Sequence, residues 1–246
     1  MTRAVAAPGS DQASVRAEVA QRLWVLIVAG VPTGVIVAGL GSRLAMFVLR
    51  LTSPDSVVGV ESDDGFEIGR FTLSGTYNLM ALGAVVGLIG VAAYRFVSPW
   101  LVGPLWFRRA TVAGGCAAVV GSMLVHDDGI DFHVLTPQWL AIGLFVALPG
   151  AFGLVIGVVV DRLKDRPLAQ GRRPWVLPIV LVAAFPPALV GALIGVVALV
   201  LWAPIRRGLQ PVFRDAPGLA IFVRAAWLSI AVLGLLALIG DIRALR

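Results

Sequence analysis

Six candidate metal ligands, two imidazoles and four carboxylates, lie in two short acidic segments of an otherwise apolar chain: Asp63, Glu67, His126, Asp127, Asp131 and His133. Imidazole together with carboxylate ligands favours zinc or manganese, whereas oxygen ligands alone favour calcium. A divalent cation is therefore one hypothesis for these segments, and no other cofactor is predicted. Because the spacing matches no known ligand motif, the alternative is that the aspartates form turns and the other acids keep the loops polar.

His126 and Asp131 could also act as a general acid or base, which would suit an enzyme that modifies a lipid at the outer face of the membrane. No Ser, Cys or Thr stands in a recognisable nucleophile setting, and loop acids lack the burial that shifts a pKa. The sequence therefore predicts no catalytic residue, and a lipid-modifying enzyme is the third of three functional hypotheses.

Each acidic segment contains an Asp-Gly dipeptide flanked by alternating apolar residues, at Asp64-Gly65 and at Asp128-Gly129. This pattern is a strong β-hairpin signal, because a type I′ turn requires positive φ at both central positions. The sequence thus predicts short hairpins at 57–72 and 124–136. Alternation places the apolar residues on one face of each hairpin, and packing of the two hairpins into a four-stranded cap would bury that face.

Six apolar runs surround these segments, each near or above the roughly 20 residues that a helical membrane span needs: 23–49, 77–97, 110–125, 139–160, 175–203 and 219–240. Hydrophobic residues make up 59% of the chain and charged residues 14%, and the mean hydropathy is +0.92. These values are typical of an integral membrane protein. We expect an all-α membrane protein built as a six-helix transmembrane bundle.

The run at 175–203 is longer than a simple span requires. Pro186-Pro187 must therefore either kink a spanning helix or break a re-entrant hairpin that returns to the side it came from. Both forms remain open at the level of the sequence.

The two acidic segments have matching surroundings, because Gly41-Ser42-Arg43-Leu44 precedes the first and Gly121-Ser122-Met123-Leu124 precedes the second. Residues 23–160 are interpreted as a duplicated four-helix unit, in which a helix-hairpin-helix motif occurs twice in the same orientation. Such a parallel repeat would be related by an axis along the membrane normal.

Arginine and lysine predict the orientation, because cytoplasmic loops of membrane proteins carry an excess of both. The basic residues make 1–22 a cytoplasmic tail and 161–173 a basic cytoplasmic loop, so that both hairpins face outward. Residues 174–246 form a C-terminal helix pair in this scheme, which returns Arg243 and Arg246 to the cytoplasm.

One basic loop fits this orientation only if the run at 175–203 re-enters, since Arg206, Arg207 and Arg214 would otherwise lie outside. The formal net charge of +6 is explained by these membrane-flanking arginines. We therefore predict membrane lipid as a partner and no nucleic acid.

Arg43 and Arg50 lie seven residues apart near the outer end of the first run, on roughly the same helical face. They are predicted to reach lipid phosphates or to form ion pairs with the hairpin carboxylates. Glycines three or four residues apart in the first two runs allow close helix approach, which favours a compact bundle or a homo-oligomer.

Ionisable residues are almost absent from the middle of the apolar runs, whereas coupled transporters place them at that depth. The first functional hypothesis is therefore a non-enzymatic accessory, sensor or partner-binding subunit that uses its outward hairpin cap. A small transporter or channel is the second, and it requires a polar route past Thr33, Arg43 and Asn78.

Three stretches of the chain are similar to proteins of a known kind: Ser42-Arg43-Leu44-Ala45-Met46, residues 63–72 and residues 126–132. Through them the chain resembles uncharacterised multi-pass membrane proteins of actinobacteria, over residues 1–160. The resemblance implies a bacterial plasma-membrane protein. It implies no activity, cofactor or catalytic residue.

Overall fold

The computed structural model describes residues 8–60, 68, 71–126, 129–166, 173–198 and 217–245. Regular structure in these ranges is helical, which suits an apolar chain because a helix satisfies its own backbone polar groups in lipid. Short 3₁₀ turns occur at Asp55–Val57 and Ser98–Trp100. The other elements are α1 Pro8–Thr33, a π-helical segment Gly34–Leu40, α2 Gly41–Thr52, α3 Leu73–Val97, α4 Leu105–Leu124, α5 Ile130–Val134, α6 Gln138–Leu163, α7 Arg173–Ala184, α8 Ala188–Ala198 and α9 Pro217–Ala244.

Five glycines form a backbone contact between the first helical stretch and α3. A Cβ built on Gly34 would lie 1.9 Å from the carbonyl oxygen of Gly83, and one built on Gly87 would lie 2.0 Å from that of Gly30. Gly39 meets the α3 backbone in the same way. Any side chain here would hold the helices apart, so the glycines allow the two backbones to touch. We call this contact the glycine seam.

The π-helical segment Gly34–Leu40 lies on the glycine seam. The carbonyl oxygen of Ala38 accepts hydrogen bonds from the backbone N–H of Gly41 and from the hydroxyl of Ser42. A π-helical turn changes the helix rotation, so α2 presents a different face from the one that a continued α-helix would present. Together α1, the π-helical segment and α2 give one apolar stretch, Arg16–Thr52, that is long enough to cross a membrane.

α4 and α6 pack antiparallel along their length. Gly157, near the end of α6, lies beside Arg109 at the start of α4, and Gly121, near the end of α4, lies beside Val146. Small residues again make the contact, because a Cβ on Gly153 would lie 2.8 Å from the Cys116 sulfur. The helix pair therefore joins the two ends of the bundle.

α9 runs in the same direction as α4. Its Trp227 packs edge-on against Phe96 near the end of α3, with ring centroids 5.9 Å apart. At the other end, the carbonyl oxygen of Leu245 accepts a hydrogen bond of 3.1 Å from the side-chain amide of Gln138 at the start of α6. Arg243 was expected at the same end of the bundle as the basic loops. This expectation is wrong, because the last turns of α9 lie at the other end, beside the start of α6.

α7 begins beside α1 and ends beside the start of α3. The indole N–H of Trp24 donates to the carbonyl oxygen of Pro174 at 2.9 Å. The hydroxyl of Tyr77 donates to the carbonyl oxygen of Ala184 at 3.1 Å, and the Tyr77 ring stacks on Phe185 with centroids 5.9 Å apart. α7 thus extends from one end of the bundle toward the other.

α8 runs back toward the end where α7 began. Pro186 and Pro187 separate the two helices, because proline lacks an N–H and its ring clashes with the preceding turn. Farther along α8, a Cβ on Gly195 would lie 2.8 Å from the side chain of Leu26, which is on α1 close to Trp24. α7 and α8 are each shorter than the roughly 20 residues that a span needs. In its described part the fifth apolar run is therefore a hairpin of two short helices, which is the shape that the re-entrant form requires.

The predicted six-helix bundle with β-hairpins is wrong. Among the described residues, α4, which carries Arg108 and Arg109 near its start, is not one of the helices long and apolar enough to span, and α7 and α8 are too short. The structure remains that of a membrane protein with several apolar helices. Within the described ranges, four stretches are long and apolar enough to cross a membrane: Arg16–Thr52, Leu73–Trp100, Gln138–Leu163 and Arg224–Ala244.

The predicted hairpin at 124–136 is wrong because α5 occupies Ile130–Val134. The N–H of Leu135 donates to the carbonyl oxygen of Asp131 at 2.9 Å, which is a helical contact. Asp131 and Phe132 are adjacent and both buried, whereas neighbours in a strand point to opposite faces. A helical turn also satisfies more of its own backbone than an isolated two-stranded hairpin does.

Most of the first predicted hairpin, including Asp63 and Glu67, lies outside the described residues. At the base of this loop the Gly59 N–H donates to the Ile68 carbonyl oxygen at 2.9 Å, and the Ile68 N–H donates to that of Val60 at 2.8 Å. No strand forms in the part of this loop that the structure describes. The duplicated helix-hairpin-helix unit is not supported either, because the second loop contains α5.

We expect Gly87→Ala to destabilise the protein by about 2 to 3 kcal/mol, because its Cβ would meet the Gly30 carbonyl oxygen and force the seam apart. Gly114→Ala is the matched control, since a Cβ at that α4 position meets nothing within 4 Å. Thermal or denaturant unfolding of the purified protein in detergent measures both. Equal stability of the two variants would contradict the role of the seam.

Candidate functional site

The helix packing gives the bundle two chemically different ends. We call them the loop end and the basic end. The loop end comprises α2, α5 with the connections on either side of it, and the last turns of α9. The basic end comprises the first turns of α1, α4, α7 and α9 and the last turns of α3 and α6. Among the described residues, the loop end carries three cations and three acids: Arg43, Arg50, Arg243, Asp55, Asp131 and Asp241. Counted among the described residues from Arg16 onward, the basic end carries ten cations and three acids: Arg16, Arg22, Arg95, Arg108, Arg109, Arg162, Lys164, Arg166, Arg173, Arg224, Glu18, Asp161 and Asp165.

Hydrogen bonds between distant parts of the chain fix the loop end. The hydroxyl of Ser53 donates to the carbonyl oxygen of Thr136 at 3.2 Å and accepts from the N–H of Thr136 at 2.9 Å. The side-chain amide of Gln138 donates to the carbonyl oxygens of Phe132 and Leu245, at 3.2 and 3.1 Å. These bonds join the end of α2, the loop around α5 and the end of α9 into one arrangement.

An apolar cluster lies beneath these hydrogen bonds. Phe132 is almost fully buried and packs against Phe145, with ring centroids 5.3 Å apart. Leu49 of α2 and Leu238 of α9 belong to the same cluster, and Ile68 of the first loop packs against it. Ile68 and Phe132 were both expected on the inner faces of hairpins. The two loops therefore meet at one apolar cluster, and neither contributes a strand among the described residues.

The predicted metal ligands lie on different sides of α5 or outside the described part of the chain. Asp63, Glu67 and Asp127 are outside the described residues. Asp131 is buried and His133 is exposed, since residues two apart on a helix point in different directions. The described residues hold no group of three His, Cys, Asp or Glu side chains that could bind a metal ion. Cation binding stays a prediction that depends on residues outside the described ranges.

His126 is half-buried in the turn between α4 and α5, and its carbonyl oxygen accepts a hydrogen bond of 3.2 Å from Gly129. The predicted pairing of His126 with Asp131 assumed that they face each other across a hairpin. Because α5 replaces that hairpin, the cross-strand geometry that suggested acid or base catalysis is lost.

Arg43 and Arg50 both contact groups at the loop end. Arg50 Nη2 lies 2.8 Å from a carboxylate oxygen of Asp55, whose side chain is 95% exposed. Such an exposed ion pair contributes little stability. The guanidinium carbon of Arg43 lies 5.0 Å from the ring centroid of Phe71, which is a cation–π contact. Arg50 thus pairs with a carboxylate in the turn after α2, outside the predicted hairpin.

A buried carboxylate organises the basic end. Only 5% of the Asp161 side chain is exposed, near the end of α6. Its Oδ2 accepts from the hydroxyl of Tyr94 at 3.0 Å and from Arg109 Nε at 3.3 Å, and its Oδ1 lies 3.0 Å from Lys164 Nζ. Because these groups come from α3, α4 and the turn after α6, the carboxylate joins three elements. We call Tyr94, Arg109, Asp161 and Lys164 the Asp161 cluster.

Two further hydrogen bonds tie helix ends together at the basic end. Arg108 Nη2 donates to the carbonyl oxygen of Ser98 at 2.6 Å, which links the start of α4 to the end of α3. The side-chain amide of Gln21 donates to the carbonyl oxygen of Arg166 at 2.6 Å, which links α1 to the turn after α6. Hydrogen bonds between distant parts of the chain therefore hold the basic end together, as they do the loop end.

The sequence interpretation treated Arg109 and Lys164 only as loop charges and did not single out Tyr94 or Asp161. The sequence does contain a signal for this cluster, because Asp161 is an acid directly after a long apolar run and a lysine follows it three residues later. A carboxylate that accepts three hydrogen bonds has little capacity left to act as a base. The geometry of the Asp161 cluster therefore indicates a structural role.

The chain matches no protein-family model, and no curated protein or solved structure matches it.

Asp161→Asn is expected to lower the free energy of unfolding by about 2 kcal/mol, because it removes the charged acceptor of three hydrogen bonds. Asp55→Asn is the matched control and should cost about 0.5 kcal/mol or less, since its ion pair with Arg50 is solvent-exposed. Chemical unfolding in detergent, followed by tryptophan fluorescence, compares the two. A loss at Asp161 no larger than at Asp55 would rule out the structural role.

Proposed function

We propose that this chain is a non-enzymatic multi-pass protein of a bacterial, actinobacterial-type plasma membrane, and that it serves as an accessory, sensor or partner-binding subunit. Its loop end is the face that binds the partner. The observation that carries this proposal is the fixed loop end, where Ser53, Thr136, Gln138 and Leu245 bring three separate parts of the chain together. A preorganised surface loses less conformational entropy when it binds a protein.

The orientation follows from charge. Cytoplasmic ends of membrane proteins carry an excess of Arg and Lys, and the ten cations of the basic end meet that rule. The N-terminus then lies in the cytoplasm and the loop end faces outward. The re-entrant form of α7 and α8 supports this assignment, because the connection from α8 to α9 starts and finishes at the basic end.

The loop end offers both polar and apolar groups to a partner. His133 and Asp55 are exposed there, and so are the apolar side chains of Val58 and Phe71. Mixed surfaces of this kind, with an aromatic anchor beside charged groups, are typical of protein interfaces. The charges of the described residues balance at this end, so neither a strongly acidic nor a strongly basic partner is favoured.

Two other hypotheses receive less support from the described residues. A transporter or channel needs a polar route past Thr33, Arg43 and Asn78, yet Thr33 is 5% exposed beside the glycine seam, where backbones touch and leave no room for water. A lipid-modifying enzyme needs an acid–base pair at His126 and Asp131, and α5 removes the geometry that suggested this pair.

The orientation is tested with single cysteines in a Cys116→Ser background. Asp55→Cys at the loop end should react with a membrane-impermeant maleimide on intact spheroplasts, because the loop end faces outward. Arg166→Cys at the basic end should react only after the membrane is permeabilised. The reverse pattern would overturn the orientation.

Partner binding is tested by photo-crosslinking in cells, with benzoylphenylalanine placed at Val58 on the loop end or at Val176 on α7. Both positions are exposed and apolar. We expect a discrete crosslinked product from position 58 and none from 176. Ser53→Ala, which removes both hydrogen bonds to Thr136, should lower the yield at position 58. Crosslinking at 176 alone would contradict a loop-end partner and indicate a partner in the membrane.

A further inference from the structure

We propose that the connection between α3 and α4 at the basic end binds the headgroup of an anionic phospholipid. This site is distinct from the loop end, and it does not depend on the partner proposed there. The recognising groups are Arg108, Arg109 and Lys164, with Trp106 and Phe107 beside them.

The connection is folded into a defined shape. Ser98–Trp100 forms a 3₁₀ turn, and Gly103 adopts a φ of +96°, a conformation that favours glycine. A Cβ at Gly103 would lie 3.0 Å from the ring of Phe107, so the turn closes directly over that side chain. The bond from Arg108 to the carbonyl oxygen of Ser98 holds the start of α4 in place.

Aromatic and aliphatic side chains are exposed on this turn. The exposed fraction is 69% for Trp106 and 48% for Phe107, and their rings pack edge-on with centroids 5.7 Å apart. Val102 and Leu105 are exposed beside them. Tryptophan next to basic residues is typical of the boundary between hydrocarbon and headgroups. The connection is therefore placed where a lipid glycerol and phosphate lie.

Positive charge exceeds negative charge at the same place. Arg108, Arg109 and Lys164 carry three positive charges, and the carboxylate of Asp161 supplies one negative charge among them. Arg109 uses Nε, and Lys164 one N–H, on that carboxylate, and Arg108 uses one N–H on Ser98. An arginine has five N–H donors in a planar fork that suits phosphate oxygens. N–H donors and a net positive charge therefore remain available to bind an anion.

An anionic phospholipid satisfies both sets of groups at once. Its phosphate would accept from the arginines, and its acyl chains would cover Trp106 and the neighbouring apolar side chains. A soluble anion would satisfy only the charge, and a zwitterionic lipid would supply a phosphate without net negative charge. Basic sites between membrane helices on the cytoplasmic side attract anionic lipid for this reason.

The test uses the full-length protein in detergent with added phosphatidylglycerol or phosphatidylcholine, and native mass spectrometry measures the lipid retained. Arg108→Gln keeps an amide donor for Ser98 and should weaken phosphatidylglycerol retention about fivefold. Trp106→Ala, at an exposed position, should also weaken it while leaving the thermal midpoint unchanged. Arg50→Gln at the loop end is the control and should retain phosphatidylglycerol like the parent protein.

Selective loss of phosphatidylglycerol from Arg108→Gln and Trp106→Ala, with phosphatidylcholine unchanged, supports the site. Three outcomes would overturn it: equal retention by Arg108→Gln and Arg50→Gln, equal loss of both lipids, or complete displacement of phosphatidylglycerol by inorganic phosphate. If Arg108→Gln fails to fold, the result for Trp106→Ala decides the question, because Trp106 is 69% exposed.

Discussion

The structure depends first on the glycine seam between α1 and α3. In lipid, apolar side chains gain nothing from moving out of water, so helices associate through close packing and hydrogen bonds. The seam places backbone against backbone, with opposing atoms so near that Gly34 and Gly87 have no room for a methyl group. α7 reaches across this same pair of helices, from Trp24 on α1 to Tyr77 on α3.

Hydrogen bonds at the two ends complete what the seam begins. At the basic end the carboxylate of Asp161 joins α3, α4 and the turn after α6, and at the loop end Ser53 and Gln138 join α2, α6 and α9. A seam without room for water leaves the two ends as the surfaces where polar recognition can occur. The proposed partner site lies at one end and the proposed lipid site at the other.

Sequence reasoning succeeded where one local property decided the outcome. Composition indicated a membrane protein, and glycine spacing in the first two runs indicated close helix approach. It failed where a local signal competed with packing. Asp128-Gly129 is a valid turn signal, yet burial of Phe132 against Phe145 favours a short helix there, because a helix can bury Asp131 and Phe132 together.

By itself the sequence determined the class of protein, the apolar helices and the charge bias of the basic loops, because each follows from side-chain chemistry summed over a segment. Only the tertiary structure decided that Asp161 holds three elements, that α9 ends at the loop end, and that α8 turns back. Those features depend on which helix ends meet in space. Residues such as Tyr94 and Asp161 are 67 positions apart, and no local pattern specifies their contact.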